Sequence, residues 1–249
     1  MSAPDLYDDA ELYEAQYRHY RDDLPFYRSL ALDRPGEVLE VGAGAGRVTV
    51  ELARLAERVV ALEPSPAMRA AAKARLSEAG VAERVELRAQ DVRELTDEGR
   101  YALAVAPFHA LMHLLTVEDQ DAALRAVRRA LAPGGAFACD VFTPRFGPLD
   151  VLRRETAWRD AAGRETELFV LQHHHAAEQR IESLYLLDRT DPDGPVRRSR
   201  ARLLQRYFHR FELERAMRAA GFATVRMFGD FDRRPIDADA GRFVVLASG

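Results

Sequence analysis

The chain has 249 residues, 47% of them apolar and 31% charged, with a formal net charge of −4. That length buries a full core in one large α/β domain or two small ones, and the acidic balance argues against a general affinity for nucleic acid or an anionic membrane. Cys139 is the only cysteine and Lys73 the only lysine. This excludes intrachain disulfides and cysteine-built zinc clusters and, because Lys73 sits in the surface-type run MRAAAKARL, argues against Schiff-base chemistry. No apolar run approaches the roughly 20 residues of a membrane-spanning helix, and the opening MSAPDLYDDAELYEAQ lacks the order of a signal peptide. A cytoplasmic protein is expected. The pattern G-x-x-x-x-G-K-[ST] is absent, which removes the usual nucleoside-triphosphate machinery.

Five of the eight tyrosines fall in the first 27 residues. Tyr13, Tyr17 and Tyr20 stand at i, i+4 and i+7, one helical stripe. Residues 1–30 therefore read as a helical arm, either packed on the body or acting as a lid. Tyr7 and then Tyr17 are the candidates for covering a bound cofactor. Strands are predicted at 37–41, 58–63, 84–89, 101–106 and 136–142. The intervening helices begin with a glycine turn at 46, with Ser65–Pro66 as cap and first position, and with Thr116 and Asp119 as a capping box. This alternation implies a mostly parallel sheet covered on both faces.

After Phe142 the rhythm changes. ETELFVLQHHH, QRIESLYLLDRT and RRSRARLLQRYF, the last two joined by DPDGP, read as an antiparallel cap inserted over 145–207. The helix FELERAMRAAGF and two closing strands, TVRMFG and RFVVLAS, return to the body. The expected plan is a single domain over 1–249: a lid at 1–30, a cofactor-binding core at 36–142, the cap, and residues 208–249 completing the core. The exposed cap edge is a candidate surface for a homodimer.

VLEVGAGAGRVT places Gly42, Gly44 and Gly46 at a strand-to-helix turn, where bare backbone lets N–H groups approach a ligand. Glu63 closes the second strand, where a carboxylate can accept from ribose hydroxyls, and Asp91 follows the third, placed for an amine such as adenine's. A dinucleotide fingerprint G-x-G-x-x-G/A would have a small residue where Arg47 stands. Glu40 suits a ligand bearing ammonium or sulfonium better than a pyrophosphate. The pattern favours S-adenosylmethionine over NAD.

VLEVGAGAGRVT, ALEPSPAM, QDVREL, PFHALMHLLT, LRAVRRALAPGGAFACDVF and RYFHRFELERAMRAAGF together resemble the motifs of class I S-adenosylmethionine-dependent methyltransferases, of the small-molecule type. The resemblance implies a Rossmann-like, seven-stranded sheet with its last strand antiparallel, and methyl transfer to an N, O or other nucleophile of a small metabolite. By the same resemblance Glu40, Gly42, Gly44 and Gly46 surround the methionine moiety and Glu63 binds the ribose. Asp91 and the Val92 backbone meet the adenine, and Pro64, Met68 and Gln90 flank the adenosine. Ala106, Pro107 and Phe108 end the fourth strand beside the sulfonium. His113 stands where similar sequences often have histidine, and His109 where they commonly have asparagine.

His109 and His113 are the candidate bases, sharing a face if their segment is helical. The plainer alternative is that both only satisfy nearby backbone. In HHH at 173–175, His173 and His175 share one strand face and His174 the other, which makes a thin metal site, and no metal is assigned. His173, Tyr185 and Tyr207 are candidates for the acceptor side, and the cap's own core competes for them. RRSRAR reads as the solvated face of an edge strand. Two other functions stay open: an NAD-dependent oxidoreductase and a non-catalytic S-adenosylmethionine-binding protein. A nucleic-acid acceptor is not expected, because APFH replaces the [DN]-P-P-[YF] segment that adenine-directed enzymes share.

Overall fold

Capping side chains, prolines and glycines set most of the element ends. In the computed structural model, which describes residues 5–17, 19–144, 149–159, 163–190 and 194–249, the arm opens with a 3-10 turn over Leu6–Asp8 boxed by Asp5 and Asp8. Helices α1 (Ala10–Tyr17) and α2 (Leu24–Asp33) follow. The body then alternates β1 (Glu37–Val41), α3 (Arg47–Ala53), β2 (Arg58–Leu62), α4 (Pro66–Glu78), β3 (Val85–Arg88), β4 (Tyr101–Ala106), α5 (Val117–Ala130) and β5 (Leu131–Phe142). Ser65 caps α4 by accepting from the Met68 N–H, and Thr116 caps α5 by accepting from the Asp119 N–H. The cap contributes β6 (Arg153–Arg159), β7 (Glu165–His175), β8 (Arg180–Thr190) and β9 (Val196–Arg206), and α6 (Arg210–Ala219), β10 (Thr224–Phe228) and β11 (Arg242–Ser248) close the chain.

The main sheet has seven strands in the order β10-β11-β5-β4-β1-β2-β3. β1 pairs in parallel with β2 on one side and β4 on the other, and β11 lies antiparallel between β5 and β10. Connections leave the sheet in opposite directions at β1 and β4, so the crevice outside their carboxyl ends is where such a sheet takes a ligand. One face buries Leu124, Val127, Leu213 and Met217 from α5 and α6. The other buries Phe26, Leu30, Val48 and Leu76 from α2, α3 and α4. This is the expected Rossmann-like α/β architecture.

The cap is a second, four-stranded antiparallel sheet in sequential order. Along β8 every second residue, Ile181, Ser183, Tyr185 and Leu187, is buried, the period of a half-covered strand. Its core takes in Leu6 and Leu12 of the arm beside Leu168, Val170 and Leu203, so the arm packs as part of the cap. Arg206, 6% exposed, ties the cap to the body by donating to Gln120, Gln179 and Glu212 at 2.6, 2.9 and 2.8 Å.

Several boundaries differ from the sequence reading. β6 was not predicted, because RRETAWR buries no residue fully and shows no apolar alternation. β5 begins at Leu131 rather than 136, since Leu131 already pairs with Tyr101 before a register shift. α1 stops at Tyr17, leaving Tyr20 beyond the helix whose stripe it continues. The start of the predicted cap at 145–148 and most of DPDGP, at 191–193, lie outside the described residues. No helix among the described residues is long and apolar enough to cross a membrane.

Candidate active site

One cavity of about 590 Å³ opens at the switch point, lined by Glu40, the 42–45 turn, Glu63, Asp91, Phe108 and His113 among others. The glycines build its floor. Gly42, Gly44 and Gly46 all have positive φ, +72°, +56° and +81°. A Cβ on Gly42 would sit 2.9 Å from the Ala110 Cβ, so the loop after β4 packs directly on bare backbone. Gly46 is not part of the wall. It lets α3 approach Ala72 of α4, where a Cβ would stand 3.3 Å away.

Glu63 is locked in place by the turn itself. Its Oε2 accepts from the Gly44 N–H and its Oε1 from the Ser65 N–H, each at 2.8 Å. Burial lifts its pKa above the usual carboxylate value against the pull of these two donors. Each oxygen keeps further accepting capacity for hydroxyl donors.

Glu40 is the opposite case. It is 1% exposed, and the Thr49 hydroxyl is the one side-chain donor beside its buried carboxylate oxygens. Burial pushes its pKa up to about 8, although the Thr49 hydroxyl and the nearby Arg47 charge work the other way. A buried carboxyl with a single hydroxyl beside it on a cavity wall has room for a further donor, and a cationic amine is the best fit.

Asp91 lines the cavity, but its carboxylate is not open as expected. Arg93 grips it through Nε and Nη2 at 2.9 and 2.8 Å, and the Arg93 N–H donates to it at 2.8 Å. This pairing holds Asp91 below the ordinary carboxylate range. Pro64, Gln90 and Val92 also reach the wall, with the Gln90 amide donating to the Glu94 carbonyl at 2.9 Å. Met68 and Ala106 do not line the wall. Both are fully buried, Met68 beneath the cap of α4 and Ala106 at the end of β4 behind Pro107.

Aromatic rings close the remaining side. Tyr7 meets Tyr13 at 5.6 Å between centroids, Tyr13 meets Tyr17 at 5.0 Å, and Tyr17 and Tyr20 reach Phe108 at 4.9 and 5.1 Å. Burial raises the pKa of all four tyrosines, that of Tyr20 to about 12. Arg47, the residue that broke the dinucleotide pattern, donates to both oxygens of fully buried Asp23 at 2.6 Å and lies 5.1 Å over the Tyr20 ring.

The two histidines do not share a helix face. Phe108 and His109 both adopt left-handed backbone, φ +51° and +64°, at a cost of about 1–2 kcal/mol each for residues with a Cβ. Only Ala110–His113 forms a 3-10 turn. His113 therefore faces the cavity, its Nε2 sharing a hydrogen bond of 2.9 Å with the Tyr7 hydroxyl. His109 stacks behind Phe108 at 5.3 Å, a fifth of its side chain exposed, beside the cavity wall rather than on it. Burial depresses both rings, His113 to about 4.

The acceptor candidates of the cap lie elsewhere. His173 pairs with Asp150 at the surface, His174 shares a 3.0 Å hydrogen bond with Tyr207, and His175 faces Glu182 at 3.5 Å. Tyr185 is buried in the cap core and hydrogen-bonded with Tyr17 and Ser183, and Tyr207 packs into the main core. The cap reaches the cavity instead through Leu203 and Leu204 of β9. Strand alternation alone does not say which face of β7 or β9 turns inward. Asp23 and Asp140, which stand behind Arg47 and the Phe108–His109 turn, carry no local signal and were missed.

The seven-stranded fold, the glycine floor and buried Glu40 come together at one cavity at the switch point of the sheet. Residues 38–135 match the family model described as a methyltransferase domain. A protein-L-isoaspartate O-methyltransferase of Methylorubrum populi is 40% identical over 117 residues, 47% of this chain and 50% of that protein. A ubiquinone biosynthesis O-methyltransferase of a Methylobacterium species is 36% identical over 101 residues, 40% of this chain and 38% of that one. The chain thus spans half or less of these relatives' length. The fold as a whole matches the CcbJ methyltransferase of Streptomyces caelestis, with a TM-score of 0.78 at 24% identity and 98% of both chains covered. It also matches an S-adenosylmethionine-bound amino pentose methyltransferase of Micromonospora echinaspora, with a TM-score of 0.73 at 24% identity, covering 96% of this chain and 97% of that one.

Proposed function

We propose that the protein transfers the methyl group of S-adenosylmethionine to a nucleophilic atom of a small molecule. The observation that carries this reading is Glu40: a buried carboxyl met by no side-chain donor but the Thr49 hydroxyl, on the same cavity wall as the Gly42–Gly44 backbone and Glu63. In it Glu40 and the turn hold the methionine end, Glu63 the ribose, and the Asp91–Val92 corner the adenine. The donor supplies a methyl group on a sulfonium that is already a good leaving group, so the protein's part is alignment and exclusion of water. Phe108 and the arm tyrosines supply the aromatic, water-excluding wall, where a cation is favoured over ring faces.

An acceptor that loses a proton needs a base, and His109 fits that part better than His113. Nε2 of His113 is already engaged by Tyr7, and a pKa of about 4 makes it too weak a base near neutrality. His109 keeps a carboxylate, Asp140, at 3.2 Å, whose charge works against the burial that lowers the ring's pKa. The small-molecule acceptor is supported by the amino pentose methyltransferase among the structural matches and by the leucine-lined, cap-covered cavity. The same reading puts the protein in the cytoplasm and takes the cap as the surface through which two chains would pair.

Isothermal titration with S-adenosylhomocysteine, S-adenosylmethionine and NAD tests the reading. Micromolar or tighter binding of the first two and none of NAD is expected. NAD binding alone would establish the oxidoreductase alternative. Binding without methylated product from any panel of amines and hydroxyls would favour a non-catalytic binder.

A further inference from the structure

Asp91 caps the 3-10 turn over Val92–Glu94, its Oδ1 accepting from the Arg93 N–H at 2.8 Å. The same oxygen accepts from Arg93 Nε at 2.9 Å, and Oδ2 accepts from Nη2 at 2.8 Å. Guanidinium and carboxylate therefore meet fork to fork. Nη1 of Arg93 reaches the other way, donating to Oδ1 of Asp119 at 2.6 Å in the first turn of α5. Gln90, Asp91, Val92 and Arg93 line the cavity, whereas Asp119 does not, so the chain of bonds runs into the site from outside it.

An exposed ion pair adds little to stability, and the Arg93 side chain is 42% exposed against 27% for Asp91 and 31% for Asp119. The consequence of the fork is orientation. The backbone N–H holds the carboxylate at one oxygen only, and a planar guanidinium bonded to both oxygens fixes its plane. A carboxylate offers about four accepting positions. Among the described residues, Arg93 donors fill two of them on Oδ1 and one on Oδ2. The position left on Oδ2 can only accept.

We propose that Arg93 is a positioning residue, which braces Asp91 against α5 so that Oδ2 selects a 6-amino purine over a 6-oxo one. This rests on the reading of the Asp91–Val92 corner as the adenine site. An amino group at C6 of the base donates to the waiting oxygen. A carbonyl at C6 sets acceptor against acceptor, which forfeits that bond and adds repulsion, and a site built to accept from a ligand rejects an analogue lacking the donor.

The test needs no methyl acceptor. Calorimetry compares S-adenosylhomocysteine with its deaminated counterpart, S-inosylhomocysteine, which differs in the 6-position of the base. The wild type is expected to prefer the adenine compound by about tenfold or more, the low end for a hydrogen bond to a charged group. In Arg93→Ala that preference should shrink to about threefold or less, with the circular dichroism spectrum unchanged. Arg93→Lys keeps a charge and loses the fork, so it should lose the preference to a similar extent. A merely structural role for Arg93 would weaken both compounds by one factor and leave their ratio at the wild-type value, which would overturn the proposal. A full preference in Arg93→Lys would overturn it as well, since charge alone would then suffice. So would tighter binding of S-adenosylhomocysteine by Arg93→Ala, because the arginine would then block the corner rather than orient it. The adenine reading fails separately: a wild type without preference, or a preference that survives in Asp91→Ala, would remove the base from this corner.

Discussion

The Tyr7 hydroxyl lies 2.9 Å from Nε2 of His113, and the two rings meet edge-on at 5.1 Å. One residue belongs to the turn ahead of α1 and the other to the loop after β4, so the bond joins arm and body at the cavity wall. The Tyr7 carbonyl also accepts from Ser65 Oγ at 2.8 Å, just past Glu63. The arm is therefore latched to both walls of the crevice, while Leu6 anchors it in the cap core.

Tyr7→Phe removes only the hydroxyl. A net hydrogen bond is worth about 0.5–1.5 kcal/mol, so affinity for S-adenosylhomocysteine should fall about 3- to 10-fold with the fold intact. Titration calorimetry and circular dichroism check this. An unchanged affinity would mean that the latch plays no part in holding the ligand.

Glu40 makes stability and binding depend on pH. With its pKa raised from 4.5 to about 8 in the folded chain, the folded state binds more protons than the unfolded state between those values. Stability therefore declines as pH rises through that window and levels off above it. Glu40→Gln should flatten this slope and melt above the wild type at pH 8.5. Because a ligand ammonium favours the ionised carboxyl, S-adenosylhomocysteine binding at pH 7 should release up to about one proton. Calorimetry in two buffers of different ionisation enthalpy measures that number, and a value of zero would remove Glu40 from the ligand site.

His113 slopes the other way. Its pKa falls from 6.5 to about 4 on folding, so between those values the unfolded chain takes up the extra proton. The folded state accordingly loses stability as pH drops from 6.5 towards 4, and the loss is absent above 6.5. His113→Gln should weaken this acid sensitivity in urea melts at pH 4.5 relative to pH 7. A variant as acid-sensitive as the wild type would refute the assignment.

The glycines of the turn should not be equivalent. Gly42→Ala forces a Cβ to 2.9 Å from Ala110, whereas nothing but the Tyr13 hydroxyl, at 4.0 Å, stands near Gly44. Left-handed strain of about 1–2 kcal/mol applies to both. Overpacking adds about 1–3 kcal/mol at Gly42 alone. Denaturant midpoints should rank Gly42→Ala well below Gly44→Ala, and equal losses would contradict the packing.

Short-range rules made the body of this protein legible. Strand and helix periods, the Ser65 and Thr116 caps, and three glycines at alternate positions are written within windows of a few residues, and Glu40 and Glu63 follow as the acids at the ends of β1 and β2. The arm tyrosines showed themselves as a helical stripe, although the helix ends before Tyr20. The two histidines were visible as candidates, but their separate surroundings were not, because the left-handed turn at Phe108–His109 breaks the helix that would have set them side by side.

What only the tertiary structure decided are the pairings between distant segments: Tyr7 with His113, Arg47 with Asp23, Asp140 with Tyr27 and the Phe108–His109 turn. Such contacts are selected by burial and by mutual satisfaction of polar atoms once the sheet has brought the segments together, and no local pattern records them. The cap makes the same point. Its alternation was readable from β7 to β9, yet the cavity is lined by Leu203 and Leu204, neighbours on opposite faces of β9, and not by His173 or Tyr207. A period of two says that a strand has two faces, and only packing against the body chooses between them.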